Sequence, residues 1–146
     1  MTEAQLDELS RGECLDLLRA SEVGRIALAT DSRLVVLPVN YRLVETRDKP
    51  YIALRTRPGN VLDRTDVAVA FEIDGVDAAR HEGWSVLVHG ALNRVYPEVP
   101  WIRELFDSHP WLGRDRDQWL VIEPIKITGR RLRGETREWA LDLPRL

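Results

Sequence analysis

Apolar residues near the start of the chain fall at Leu6, Leu9, Cys14, Leu15, Leu17 and Leu18, a near-helical spacing, and beyond residue 22 the period drops to two. Ser10 followed by Glu13 has the form of a capping box, so the pattern predicts a helix over roughly residues 10–20. In "GRIALAT", Ile26 and Leu28 alternate against Arg25, Ala27 and Ala29, which predicts a first strand, and "TDSR" then reads as a hairpin turn. The second strand, "LVVLPVNYRLV", carries Pro38 in its middle; proline donates no ladder hydrogen bond, so a bulge or a sheet edge is expected there. "PYIALRT" predicts a third strand, and residues 66–74 a fourth with Val67, Val69, Phe71 and Ile73 on one face. Between them "GNVLDRT" has room for little more than two helical turns, with Asn60 as N-cap and Asp63 three residues on. "GWSVLVHGALNRVY" predicts a long fifth strand bent at Gly90, residues 100–106 a helical patch, and "WLVIEPIKITGRRL" a last strand interrupted at Pro124.

Six strands in mostly hairpin order with few helices describe a mainly β fold, an antiparallel barrel or sandwich with helical additions. A doubly wound fold would need alternating helices and a GxGxxG turn, and the sequence has neither. The 146 residues, 44% of them hydrophobic and 31% charged, suffice for one domain with a real core: a helical segment over 1–22 and a barrel over 23–146, with a helical insertion near 100–112. Apolar runs such as 26–29 and 34–39 fall far short of the roughly 20 residues of a membrane helix, so no membrane partner is expected. The opening "MTEAQLDELSRGE" lacks the basic start and apolar middle of a secretory signal, and a cytoplasmic protein is expected. The formal net charge is -3 and the arginines are scattered among carboxylates, a distribution that argues against nucleic-acid binding.

Side chains suited to catalysis are few. His81, His89 and His109 are not spaced as metal ligands, the single Cys14 reads as a core residue on the helix, and no nucleophile elbow is present. If the chain is an enzyme, a cofactor carries the chemistry. The stretch "YIALRTRPGN" offers a place for one: Arg55 and Thr56 leave a strand, and Gly59-Asn60 is expected to open a short helix whose first amides attract anions. A guanidinium, a hydroxyl and free amides together form a phosphate cradle. Alternation along the strand puts Arg55 and Arg57 on one face and Thr56 on the other unless the turn at Pro58 reorients them; the alternative is a solvated loop.

The series "LPVNY", "ALRTRPGNVL", "VAVAFEIDGVD" and "GWSVLVHG", continued through "WLVIEPIKITGRRL", closely resembles the pyridoxamine 5'-phosphate oxidase-like family of flavin-binding split barrels, in its nitroimidazole-reductase-like and actinobacterial branch. The resemblance implies a six-stranded antiparallel split barrel, a homodimer, and FMN held at the dimer interface for oxidoreductase chemistry on a small-molecule substrate. By the same resemblance Arg55 and Thr56 match the phosphate-binding pair, Gly59 and Asn60 the turn after it, and Pro38, Val39 and Asn40 the backbone beside the isoalloxazine ring. Trp84 and Ser85 match the start of the strand near the ring or phosphate edge, although Trp84 serves equally well as a core aromatic. Val61 stands where relatives often carry a lysine, with Arg57 and Arg64 as candidates to compensate; the alternative reading is a binding or carrier module for a deazaflavin coenzyme, haem or another planar anionic ligand. The chain also lacks an arginine-histidine substrate motif near its C-terminus, so vitamin B6 oxidation is not expected.

Overall fold

A computed structural model describes residues 5–95 and 118–134. In chain order the elements are β1 (Gln5–Glu8), α1 (Arg11–Ala20), β2 (Val23–Thr30), β3 (Arg33–Asn40), β4 (Arg42–Glu45), β5 (Pro50–Thr56), β6 (Val67–Asp77), β7 (Glu82–Arg94) and β8 (Gln118–Arg133). All pair antiparallel in the order β3-β2-β6-β7-β8-β5-β4, with β1 added on β8. This is the mainly β, antiparallel split barrel that the sequence predicts, with two more strands than the six expected. One comes from β1, within the segment read as helical, whose Asp7 and Glu8 stand opposite Arg131 and Arg130 of β8. The other arises because "LVVLPVNYRLV" breaks at Tyr41. The helical patch near 100–112, and with it Trp101, Trp111 and His109, lies outside the described residues.

Local signals account for most elements. Ser10 caps α1, its hydroxyl accepting from the Glu13 amide while the Glu13 carboxylate accepts from the Ser10 amide, both at 3.1 Å. The helix buries Cys14 and Leu18 against the barrel. Asp31 and Ser32, with φ of 44° and 71°, form the mirror-image turn that suits a two-residue hairpin, and β2 and β3 pair along their full length. Inward residues Ile26, Leu28, Ile52, Leu54, Phe71, Ile73, Val86 and Val88 form one core. Pro38 is accommodated because β3 is an outer strand, bonded only to β2. Gly90 lies where the β7–β8 register slips, opposite Pro124; a Cβ on it would sit 2.3 Å from the Glu123 carbonyl oxygen. No helix among the described residues is long and apolar enough to cross a membrane.

Candidate functional site

The break at Tyr41 creates the site. The ring of Tyr41 is buried edge-on to Phe71, centroids 4.9 Å apart, and its hydroxyl donates to the Leu18 carbonyl at 2.7 Å, near the end of α1. Burial pushes the phenol up to about 12, so it remains a donor at neutral pH. Its amide donates to the Glu22 carbonyl at 3.0 Å. With Tyr41 pinned inward, the chain leaves β2 after Asn40 and joins β5 at Arg42. A cleft of about 250 Å³ opens at this crossing, with Glu22, Asn40, Tyr41 and Arg42 on one side and Ala53, Leu54, Arg55 and Trp119 on the other. Arg55 and Trp119 are direct cross-strand partners on its wall. Two guanidiniums, a carboxamide and an indole share this lining with the acidic Glu22 and an apolar floor; the guanidiniums suit an anionic group and the indole and floor a flat one.

Asn40 and Arg55 are therefore brought together from sequence positions 15 residues apart. Pro38 and Asn40 face outward on β3, while Val39 packs half-buried against the core. Thr56 is 8% exposed and faces the opposite side of β5 from Arg55, so its hydroxyl is not part of the cleft. The short helix expected after Gly59-Asn60 does not form; residues 57–63 make successive turns instead, Gly59 at φ 81°. The amides expected to be free are engaged: Gly59 donates to Asp63 Oδ2 at 2.9 Å and Asn60 to the Arg57 carbonyl at 3.1 Å. The Asp63 carboxylate closes the turn from within. The Gly59 amide and the Arg94 guanidinium, whose Nε lies 2.7 Å from Oδ1, hold its carboxyl below the usual range.

Trp84 and Ser85 lie elsewhere in the protomer. The indole of Trp84 covers Gly75 across the strand pair, where a Cβ would fall 2.6 Å from the ring, and with Ser85 it lines a shallow cleft of about 310 Å³ that also includes Asp74 and Arg130. Arg55 pairs with Trp119 and Trp84 with Arg131, twelve positions apart along β8, or about 40 Å of strand at roughly 3.3 Å per residue. One chain thus carries two separate partial clefts.

The family profile of pyridoxamine 5'-phosphate oxidase matches residues 10–131. The chain belongs to the pyridoxamine 5'-phosphate oxidase family. It is 30% identical over 138 residues to the uncharacterized protein Rv0080 of Mycobacterium tuberculosis, covering 89% of this chain and 88% of that one. It resembles the structure of an FAD-binding protein from Mycobacterium smegmatis at 31% identity, with a TM-score of 0.67, over 87% of this chain and 98% of that one. The protein DIP1874 from Corynebacterium diphtheriae is similar at 26% identity with a TM-score of 0.71, over 86% and 96% of the two chains.

Within this pyridoxamine 5'-phosphate oxidase fold, the valine at 61 has a structural explanation. Val61 packs half-buried against the core, a place for a methyl pair and not for an ammonium. Arg64 does not face the cleft, since its Nη2 donates to the Thr30 hydroxyl at 2.6 Å and its Nε to the Val61 carbonyl at 2.9 Å. Arg57 does not line the cleft either. The second guanidinium comes from Arg42, which the sequence reading missed. Its signal was alternation: Arg42 stands two residues after Asn40, on the same side of the chain, as Asn40 does after Pro38.

Proposed function

We propose that this chain is a flavin-dependent oxidoreductase that acts as a twofold homodimer, with each site built from the Arg55 cleft of one chain and the Trp84–Ser85 cleft of the other. The observation that carries the reading is the cleft at Tyr41, where Asn40 and Arg55 face one ligand space beside Arg42. At about 250 Å³ it is smaller than the roughly 300–1,000 Å³ of ordinary ligand pockets, so one chain holds only part of a flavin nucleotide. Arg55 and Arg42 grip phosphate oxygens, Asn40 and the backbone of Pro38 to Asn40 border the ring, and Trp119 lends an apolar wall. When bound, a flavin would supply hydride transfer to or from a small substrate. FAD is favoured over FMN by the 31% identical FAD-binding protein, and two arginines suit a diphosphate. Among the described residues neither histidine lines the cleft, so nothing there favours haem.

Purified chain should be yellow, and chromatography of the pigment released by denaturation separates FAD from FMN. A colourless protein that shows no saturable change on titration with either flavin overturns the proposal.

A further inference from the structure

Two rows of side chains cross the outer surface of the sheet. Pro38, Arg25, Glu72, Leu87 and Thr128 stand abreast in one, and Val36, Ala27, Ala70, His89 and Lys126 in the next. On β3 this face leaves Leu34 87% and Val36 64% exposed, an apolar surface continuous with Asn40 at the Arg55 cleft. The charged feature at its centre is one guanidinium shared by two carboxylates. Arg25 Nη2 lies 2.8 Å from Glu72 Oε1 and 2.6 Å from Asp74 Oδ2, so one guanidinium serves two carboxylates that share a face of β6. All three are partly exposed in the single chain. Asp74 lines the Trp84–Ser85 cleft, and Glu72 borders a neighbouring cavity of about 280 Å³ with Ser85, Thr128 and Arg130.

We propose that pairing of two chains through this face takes up a proton at the Glu72–Asp74 pair, so that the dimer tightens as pH falls. The inference rests on the homodimer reading above. Covering the face removes water from the Arg25–Glu72–Asp74 trio, whose own net charge is -1 and beside which Arg130 lines both cavities, and the second copy brings an identical trio to the same interface. An uncompensated carboxylate in a drying contact is costly, and two carboxylates in one site relieve the cost by sharing a proton. Burial, followed by the nearby Asp74, already raises the Glu72 carboxyl above the usual range in one chain, against the lowering effect of Arg25. Association raises it further. Between the free-chain and dimer values each chain binds a proton on pairing, which favours the dimer; above both values, or below both, pH has no such effect. The other charged groups on the surrounding strands are Arg25 on β2, His89 on β7, Lys126 and Arg130 on β8, and Glu8 of β1, which stands opposite Arg130 in the row of Asp74 and Ser85; the outward residues of β3 at Leu34, Val36 and Pro38 carry no charge.

Sedimentation equilibrium on the full chain from pH 5.5 to 8 tests this. The dimer dissociation constant should fall by about tenfold or more from pH 7.5 to 5.5, within a limit of roughly hundredfold per pH unit set by two protons. Glu72→Gln and Asp74→Asn, each leaving one carboxylate per arginine, should dimerise with little pH dependence, while His89→Gln should keep the wild-type slope. Thermal unfolding of each variant confirms that it is folded. A wild-type dimer indifferent to pH, or a slope that survives both carboxylate changes or vanishes with His89→Gln, overturns the inference and leaves the dimer intact. A chain monomeric at every pH overturns the dimer reading itself.

Discussion

On the proposed reading, Arg55 shows how little of a binding residue's role its own burial reveals. It is exposed at the end of β5, so truncating it removes almost nothing from the core, yet it faces the same cleft as Asn40 and Arg42. Arg55→Ala should therefore weaken flavin binding by a charge-assisted contact, about 1.5–3 kcal/mol or roughly 10- to 150-fold, at nearly unchanged thermal stability. Arg55→Lys should recover only part of the loss, because an ammonium cannot reproduce a planar two-point grip. Arg57→Ala should change affinity much less, since Arg57 does not line the cleft, whereas Arg42→Ala should resemble Arg55→Ala. Flavin titration by fluorescence, paired with thermal unfolding, checks all four. An Arg42→Ala variant that binds flavin as the wild type does would refute the assignment of the second guanidinium to Arg42, and an Arg57→Ala loss equal to that of Arg55→Ala would place Arg57 at the ligand instead.

At the scale of elements, the turn between β5 and β6 is held by one carboxylate. Asp63 accepts from the Gly59 amide and from Arg94 near the end of β7, and the Arg94 Nη2 donates to the Asp63 carbonyl at 2.9 Å. Because its folded carboxyl titrates below its ordinary value near 3.8, the stabilisation is present above that value and is lost as pH falls through the lower folded one. Asp63→Asn should thus be less stable than the wild type at pH 7, and the gap should narrow as both are acidified below about pH 4. Urea denaturation at both pH values reads this directly, and a gap that does not change with pH would show that the carboxylate's charge is not what holds the turn. The same turn marks where the sequence was hard to read. Asn60 followed by Asp63 imitates a helix start, but the geometry differs: the Asn60 side chain accepts from the Leu62 amide and Asp63 folds back on Gly59, closing turns instead of opening a helix. The helix α1, the hairpin at Asp31-Ser32 and the slip at Gly90 were legible because each is fixed by neighbours in sequence or by alternation. The strand β1 was not, since Gln5–Glu8 shows little apolar pattern and is held by pairing with β8, more than 120 residues away.

For the molecule as a whole, Asn40 and Arg55 line one cleft and Trp84 and Ser85 another, while Pro38, Val39, Thr56, Gly59 and Asn60 line neither. Sequence can name both halves because each lies in a short motif; it cannot show that β8 separates them by twelve positions. The twofold dimer proposed above would reconcile the division by placing the Trp84–Ser85 cleft of one copy against the Arg55 cleft of the other, and would make two equivalent sites. Such an arrangement predicts complementation. Arg55→Glu puts a carboxylate where a phosphate should be gripped, and Ser85→Tyr fills the second cleft, so each variant alone should bind flavin poorly at a concentration that saturates the wild type. Mixed, partly dissociated and allowed to re-pair at random, half of the dimers carry one chain of each kind, and each such dimer has one site with both changes and one with neither. About a quarter of wild-type binding capacity should return, with wild-type affinity at those sites. Stoichiometric flavin titration of the mixture against each parent measures it. If the mixture re-pairs, as tagged-chain exchange would report, and binding does not exceed that of the two parents, each site is confined to one chain and the division of the motif residues must have another cause.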